Sequence, residues 1–464
     1  MRKVYFIDVT NRDGAQAARL EMSKFQRTMV NVYLGQMGVY QSEFGFPFIW
    51  HELNYTDSNL RLAEQGVMGD LVLAGWCRAV VAEIERSLQN PRLKHLNVSI
   101  STSDQMINGK FRGKIDHKRV IEMMVESVQA ALEGGVLTVG ANAEDASRTD
   151  LDYLIQFARA AKEAGACRVR YCDTLGLDSP DSIYQRVYAL ARESGLDVEL
   201  HCHNDLGMAV ANSVSGAKAA VNAGVNAYIN TTVNGMGERA GNADLLSCIL
   251  AIKFARGIGD SLQIGDPLDL SMAWKLGHYV ADTFGIPVPI NQVGIGANAF
   301  AHESGIHADG MLKDRHNYEI YDYELLGRSQ WSYWATGRVI TTGEFGGING
   351  LRHVYEQLGI TFNSEEAALH VLNLVQAANA HNQMQLSADE LRFIVEHPSE
   401  AHELLTVTLP DPVERIDIQR AAELVEPGTP DKANGNGNGQ GHGNGNGNGV
   451  HVPWAEIAPR RASP

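Results

Sequence analysis

The feature that most constrains this chain is a rhythm in its first 260 residues: short β-branched or apolar runs alternate with segments of helical spacing. The runs fall at Val4–Val9, Val39–Phe44, Leu71–Ala74, Leu96–Ile100, Val136–Gly140, Arg168–Cys172, Val198–His203 and Ala227–Thr232. Between them Arg119–Leu132, Leu151–Ala164, Ser182–Glu193 and Met208–Ala223 carry the helical spacing. Glycines stand just ahead of the later runs, at Gly134-Gly135, Gly165, Gly195 and Gly224, which is the chemistry of a helix C-terminus. Strands that alternate with helices pair in parallel through right-handed crossovers. Eight of them in about 250 residues predict a closed (β/α)8 barrel, the TIM-barrel architecture. An open doubly wound sheet is the alternative, but no GxGxxG follows the first strand.

Beyond about residue 260 the rhythm changes. Ile286–Asn291 is broken by proline, Glu303–Met311 is polar and glycine-rich, and residues 350–405 read mainly as helices, among them Glu365–Ala378 and Ser387–Glu396. The expected organisation is therefore a catalytic barrel over 1–260, a linker and mainly helical region over 261–430, and a flexible low-complexity tail over 431–464. Asn434–Gly449 holds eight glycines in sixteen residues and can bury no core.

With 44% apolar and 20% charged residues the chain is able to bury a sizeable core. Its formal charge of −16 argues against nucleic acid or an anionic membrane as its partner. The five cysteines, Cys77, Cys167, Cys172, Cys202 and Cys248, form no CxxC pair and fit neither a disulfide framework nor a zinc ribbon. No run of about 18 apolar residues occurs, and the opening segment lacks a signal-peptide core. A reducing, cytoplasmic compartment is the expectation, with small molecules as partners.

In a barrel of this type, chemistry sits at the carboxyl ends of the strands. The first strand ends in Asn11-Arg12-Asp13-Gly14, the second in Glu43-Phe44-Gly45-Phe46-Pro47, and the fifth is followed by Glu144-Asp145 and Arg148. The sixth leads into Asp173-Thr174, the seventh carries His201-Cys202-His203-Asn204-Asp205, and a glycine-rich loop, Asn234–Asn242, follows the eighth. The HxH is the most informative. Two-residue spacing along a strand sets both imidazoles on one side, about 6–7 Å apart at the backbone, with Cys202 pointing away. A carboxylate from a neighbouring strand would complete a two-histidine, one-carboxylate site with open positions. Asp13 is the candidate, and nitrogen and oxygen ligands predict Mg, Mn or Zn. Arg12, beside it, is placed to stabilise a developing enolate or alkoxide. Taken singly, Glu144-Asp145 would be a solvated helix start, Thr174 a local cap and the glycine loop a turn; they gain weight from sharing one rim.

These residues lie in motifs that resemble a known family. DVTNRDGAQ (Asp8–Gln16), EFGFP (Glu43–Pro47), SISTSD (Ser99–Asp104), AEDASRTD (Ala143–Asp150), YCDTLG, HCHNDLGMAVANS (His201–Ser213), NGMGERAGNADL (Asn234–Leu245) and HESGIHADGMLKD (His302–Asp314) span about residues 5–330. They are similar, in order, to those of the metal-dependent Claisen-condensing TIM-barrel enzymes, which include isopropylmalate, homocitrate and citramalate synthases and the hydroxymethylglutaryl-CoA lyases. The resemblance implies metal ligation by Asp13, His201, His203 and Asn242. It implies catalytic roles for Arg12, Glu144 and His307, and binding of the 2-oxo acid by Gln16, Glu43, Arg148 and Thr174. Acetyl-CoA would lie against Asn234, Gly235 and Glu238. A homodimer is implied too, with the region after the barrel reaching the partner's barrel. In the implied reaction a metal polarises the 2-oxo acid carbonyl, a base takes a methyl proton from acetyl-CoA, the enolate adds, and thioester hydrolysis releases CoA.

Within that family the glycine loop lacks the cysteine carried by the lyases, which favours synthesis over cleavage. The segments Trp76-Cys77-Arg78-Ala79 and Phe300–Tyr321 look most like homocitrate synthase of the nitrogen-fixation type, so 2-oxoglutarate is the expected oxo acid. The run Gln41-Ser42-Glu43-Phe44 is instead similar to Re-type citrate synthases. Oxaloacetate, 2-oxoisovalerate, pyruvate and a phosphonate analogue therefore stay open, as do a metal-dependent aldolase or lyase and a non-catalytic barrel.

Overall fold

The computed structural model describes residues 2–329, 340–382 and 384–406; the expected tail over 431–464 lies outside them. Eight parallel strands close in sequence order: β1 (Val4–Asp8), β2 (Gln41–Gly45), β3 (Val72–Arg78), β4 (His95–Ser101), β5 (Thr138–Glu144), β6 (Arg168–Asp173), β7 (Asp197–Cys202) and β8 (Ala227–Thr231). β1 and β8 complete the ring over Val4↔Ala227 to Asp8↔Thr231. The (β/α)8 barrel read from the rhythm is the architecture observed.

Local chemistry explains the crossover helices. Asp150 accepts the Tyr153 N–H to start the helix Leu151–Ala164, and Gly165, with φ of 101°, ends it in the left-handed region. Ser179 and Pro180 start Pro180–Ser194, which Gly195 closes in the same way.

Two strands run further than the apolar pattern predicts. β5 passes through Gly140, where the run read from the sequence ends, and continues to Glu144. A Cβ on Gly140 would come 2.3 Å from Asn97 Oδ1, so this glycine admits a neighbour's side chain instead of ending a strand. β3 likewise extends to Arg78, paired in register with β4 as far as Ser99.

Alternate side chains face opposite ways along each strand. Val98, Val139, Val169, Val198, Leu200 and Ile229 pack outward under the helices and are buried there. The inward set is unusual. Most barrels of this kind fill the interior with branched apolar residues, whereas here it holds Gln41, Glu43, Asn97, Asn142, Arg168, Arg170, Glu199 and Asn230, all buried. Tyr5, Tyr40 and Tyr228 cluster at the opposite end, with ring centroids 5.1–5.6 Å apart.

Helices after the barrel pack on its first helices. Tyr279 meets Tyr33 edge-on at 5.0 Å, Phe393 meets Phe25 at 5.4 Å, and the Tyr33 hydroxyl donates to Asp389. Among the described residues no helix is long and apolar enough to cross a membrane.

One buried acid ties the end of β1 to the loop after β8. Asp8 accepts from the Thr10 N–H and hydroxyl, and Thr10 Oγ1 in turn accepts the Val233 N–H. Burial pushes the Asp8 carboxyl up to about 7. The folded protein therefore keeps a proton that the unfolded chain releases near pH 4, and the stability this group contributes is lost as pH rises from about 4 to 7. Asp8→Asn should remove that slope. Between about pH 4 and pH 8 the melting temperature of the variant should gain a few degrees on the parent; a constant difference would contradict a protonated Asp8.

Candidate metal centre at the barrel rim

The turn after β1 brings a cation and an anion inward together. The N–H groups of Arg12, Asp13 and Gly14 all converge on the Val9 carbonyl at 2.8–3.1 Å, coiling the chain over the strand end. Asn11 points away from the opening, donating to the Arg27 carbonyl and to Asn31. Arg12 and Asp13 point toward it and are 6% and 5% exposed. Arg12 donates Nη1 to Asp13 Oδ1 and Nε to Glu43 Oε1, each at 2.6 Å.

Opposite them stand His201 and His203. Their rings lie 5.0 Å apart at nearly a right angle. The HxH was expected wholly within the seventh strand, but β7 stops at Cys202. His203 gives its N–H to the Asp173 carbonyl and forms an isolated antiparallel bridge with Asn242. That bridge seats Asn242 in the cluster. The glycine loop allows the approach: a Cβ on Gly237 would come 2.0 Å from Asn242 Nδ2 and 3.3 Å from Asp13 Oδ2.

Asp13, His201 and His203 each present one ligand atom, all within 4.8 Å of one another. Burial would raise the Asp13 carboxyl, but the Arg12 guanidinium and the Asn242 amide that donates to it hold it below the usual carboxylate range. Burial pushes His201 well below its ordinary value and lowers His203 as well, so both rings are neutral and keep a lone pair. The Nδ1 atoms of both histidines and Oδ1 of Asn242 are buried without a hydrogen-bond partner. Unsatisfied buried acceptors are uncommon, and three such groups on residues clustered with the Asp13 carboxylate fit a divalent cation. Asn242 now turns Nδ2 to Asp13 Oδ2 at 2.7 Å, leaving Oδ1 as its spare ligand atom. Cys202 faces the other way, its thiol driven up by burial.

The other rim candidates are arranged as follows. Glu144 accepts from Ser101 and from Lys110, at 2.7 Å for the lysine. These residues line a cavity of about 230 Å³ that Trp76 shares, and Trp76 also faces the Arg12 guanidinium at 5.7 Å. Arg148 is held by Asp145 at 2.7–3.0 Å, and Thr174 Oγ1 accepts the Asp145 N–H. Gln16 is exposed. Asn234 anchors the glycine loop by donating to the Gly277 carbonyl, Gly235 takes φ of 69°, and Glu238 is half-buried. His307 lies on the helix Gly305–Lys313, which buries none of its residues, and its ring contacts are Tyr318 at 4.1 Å and His302.

Sequence reasoning missed Arg170 and Glu199. Their signal was parity: charges at inward-facing positions of otherwise apolar strands, in RVRYCD and in VELHCH two residues before His201. Burial would raise Glu43, but Arg12 and Arg170 bring it down to about 2.

Residues 3–280 match the HMGL-like family, and residues 295–382 match the homocitrate synthase post-HMGL domain-like family. The chain belongs to the HMGL-like family. It is 51% identical over 410 residues to the citrate (Re)-synthase of Dehalococcoides mccartyi, covering 88% of this chain and 99% of that one. It is 37% identical to 2-isopropylmalate synthase 2 of Caldanaerobacter subterraneus, covering 79% and 89% of the two chains. It is also 33% identical to homocitrate synthase 1 of Nostoc, covering 87% and 99%. The HMG-CoA lyase of Brucella melitensis shares the fold, with a TM-score of 0.50 at 15% identity over 61% of this chain and 100% of that one. This HMGL-like chain is thus a member of the family of acetyl-CoA-condensing synthases, as the sequence motifs imply.

The cluster predicts its own metal chemistry. Titrated with Mn or Zn after chelation, the parent should bind one ion per chain. His203→Ala should bind none at comparable concentration while keeping the parent's circular dichroism. Undiminished binding by the variant would show that the ion sits elsewhere.

Proposed function

We propose that this HMGL-like enzyme condenses acetyl-CoA with oxaloacetate, and that water then cleaves the thioester to release citrate and CoA. The observation that carries the reaction class is the buried cluster of Asp13, His201 and His203 with Arg12 bonded to its carboxylate. The 51% identity across 99% of a citrate (Re)-synthase supports oxaloacetate over the 2-oxoglutarate expected from the motifs.

Asp13, His201, His203 and the Asn242 oxygen would hold a divalent ion, which when bound supplies Lewis-acid polarisation of the oxo-acid carbonyl. Arg12 keeps its second terminal nitrogen, Nη2, without a protein partner among the described residues. It can therefore donate to oxygen that gains charge as the carbon–carbon bond forms. Glu144, oriented by Ser101 and Lys110 beside the cavity, is positioned to take the methyl proton of acetyl-CoA. Thr174 and Arg148, on the same rim, are assigned to the oxo-acid carboxylates. In this assignment Arg148 exchanges part of its pairing with Asp145 for substrate. Gln16 is kept as a substrate contact at the opening, and the Asn234–Glu238 loop as the surface for acetyl-CoA.

A homodimer in the cytoplasm completes the reading. Ile306, Leu312, Ile320 and Phe345 are 76–93% exposed, and such apolar surface is suited to a partner. Ile306 and Leu312 lie on the helix that bears His307, which a partner barrel would bring over its substrate as a proton-transfer group.

The test is release of free CoA thiol from acetyl-CoA with Mn and each candidate oxo acid. The account expects rapid release with oxaloacetate, and a drop of about 10²–10³-fold in kcat for Arg12→Ala with metal binding retained. Release with 2-oxoglutarate alone would restore the homocitrate assignment, and silence with every acid would overturn the reaction.

A further inference from the structure

Beneath the rim, buried charges alternate down the barrel axis. Glu43 on β2 is fully buried and has no acceptor position to spare: Arg12 Nε and Arg170 Nη1 reach Oε1 at 2.6 and 3.3 Å, while Asn97 Nδ2 and Arg170 Nη2 reach Oε2. Arg170 on β6, 1% exposed, also donates Nε to Glu199 Oε1 at 2.6 Å. Glu199 on β7 takes Asn230 at 2.7 Å on that oxygen and Arg168 Nε at 2.7 Å on the other. Arg168 ends the series, bonded to Gln41 and lying 5.2 Å from the centre of the Tyr228 ring.

This ladder is expensive in free energy. Each buried ion gives up hydration worth several kcal/mol, and apolar filler of the same volume is often as stable or better. Apolar filler cannot, however, fix the direction of a guanidinium. With Nε held by Glu43 and Nη1 by Asp13, the plane of the Arg12 guanidinium is fixed, and Nη2 is its one nitrogen without a protein partner among the described residues. Glu43 can hold it only if its own carboxylate is fixed, and the Arg170 fork spanning both oxygens does that from below. Counting Asp13 on Arg12, three guanidinium groups face three carboxylates, so the ladder is balanced in charge and what it supplies to the rim is direction.

We propose that Arg170 and Glu199 are positioning residues for the condensation: acting through Glu43, they fix the aim of Arg12, and Glu43 serves as its anchor and not as a substrate contact. The proposal rests on the catalytic role given to Arg12 above. Glu199→Gln keeps the shape but removes the charge that holds Arg170, and Arg170→Lys keeps charge but loses the fork. Each should lower kcat about 10- to 100-fold per metal-loaded site, with KM for the oxo acid changed far less. Each should also add little to Arg12→Ala, because the group they aim is then gone.

A purely structural role would lower the melting temperature, leave kcat per folded site intact and add fully to Arg12→Ala. That result overturns the proposal, as does failure of both variants to fold, which would make the ladder a support for the barrel and nothing more. An inactive parent would instead sink the reaction assignment, so the two failures are told apart.

Discussion

Arg12 and Asp13 are neighbours in sequence, opposite in charge and both buried, and the rest of the site depends on that pair. A carboxylate taken from water at a strand end would normally recover its proton. Here the guanidinium at 2.6 Å keeps it ionised, and an ionised Asp13 gives two neutral imidazoles a reason to face it. With Glu43 on Nε and Asp13 on Nη1, Arg12 keeps Nη2 without a protein partner among the described residues. Cation site and anion site are therefore made by one turn of chain, and neither can be moved without the other.

The barrel serves this pair in two ways. Its rim collects residues from distant strands: Asp13 after β1, the histidines on and after β7, and Asn242 beyond β8, joined by the bridge between His203 and Asn242. Its interior supplies stiffness from below, with Glu43 on β2, Arg168 and Arg170 on β6 and Glu199 on β7 of a closed sheet. Rigid strands under a loop-built rim are the arrangement that best holds a site to fractions of an ångström.

Much of this was legible in the sequence. The eight apolar runs fixed the number and order of the strands, and Leu151–Ala164 was delimited to the residue because a capping aspartate and a left-handed glycine bracket it. The HxH and the NRD turn located the cluster, since side-chain parity on a strand is visible without coordinates. Other features were hidden for physical reasons. The reach of β5 beyond Gly140 was hidden because a lone sequence does not show that Asn97 occupies the space of the missing side chain. β7 looked one residue longer because the partner of His203 lies 39 positions away. Arg168, Arg170 and Glu199 read as noise inside apolar strands, for charge pairing across a barrel joins residues from β2, β6 and β7 that no local pattern connects. The pairing of Arg148, expected as a contact for the oxo acid, with Asp145 is visible only in the fold.

Family and reaction class thus follow from the motifs and the cluster together, while the choice of oxo acid rests on the likeness to the citrate (Re)-synthase of Dehalococcoides mccartyi. The central claim is that a cation and a substrate oxygen meet at the Arg12–Asp13 pair. The most direct test is the anomalous difference map of crystals grown with Mn and soaked in oxaloacetate. The account predicts one dominant peak among Asp13, His201, His203 and the Asn242 oxygen, with Arg12 Nη2 hydrogen-bonded to the bound acid. A peak elsewhere, or an Arg12 turned from the ligand, would contradict it.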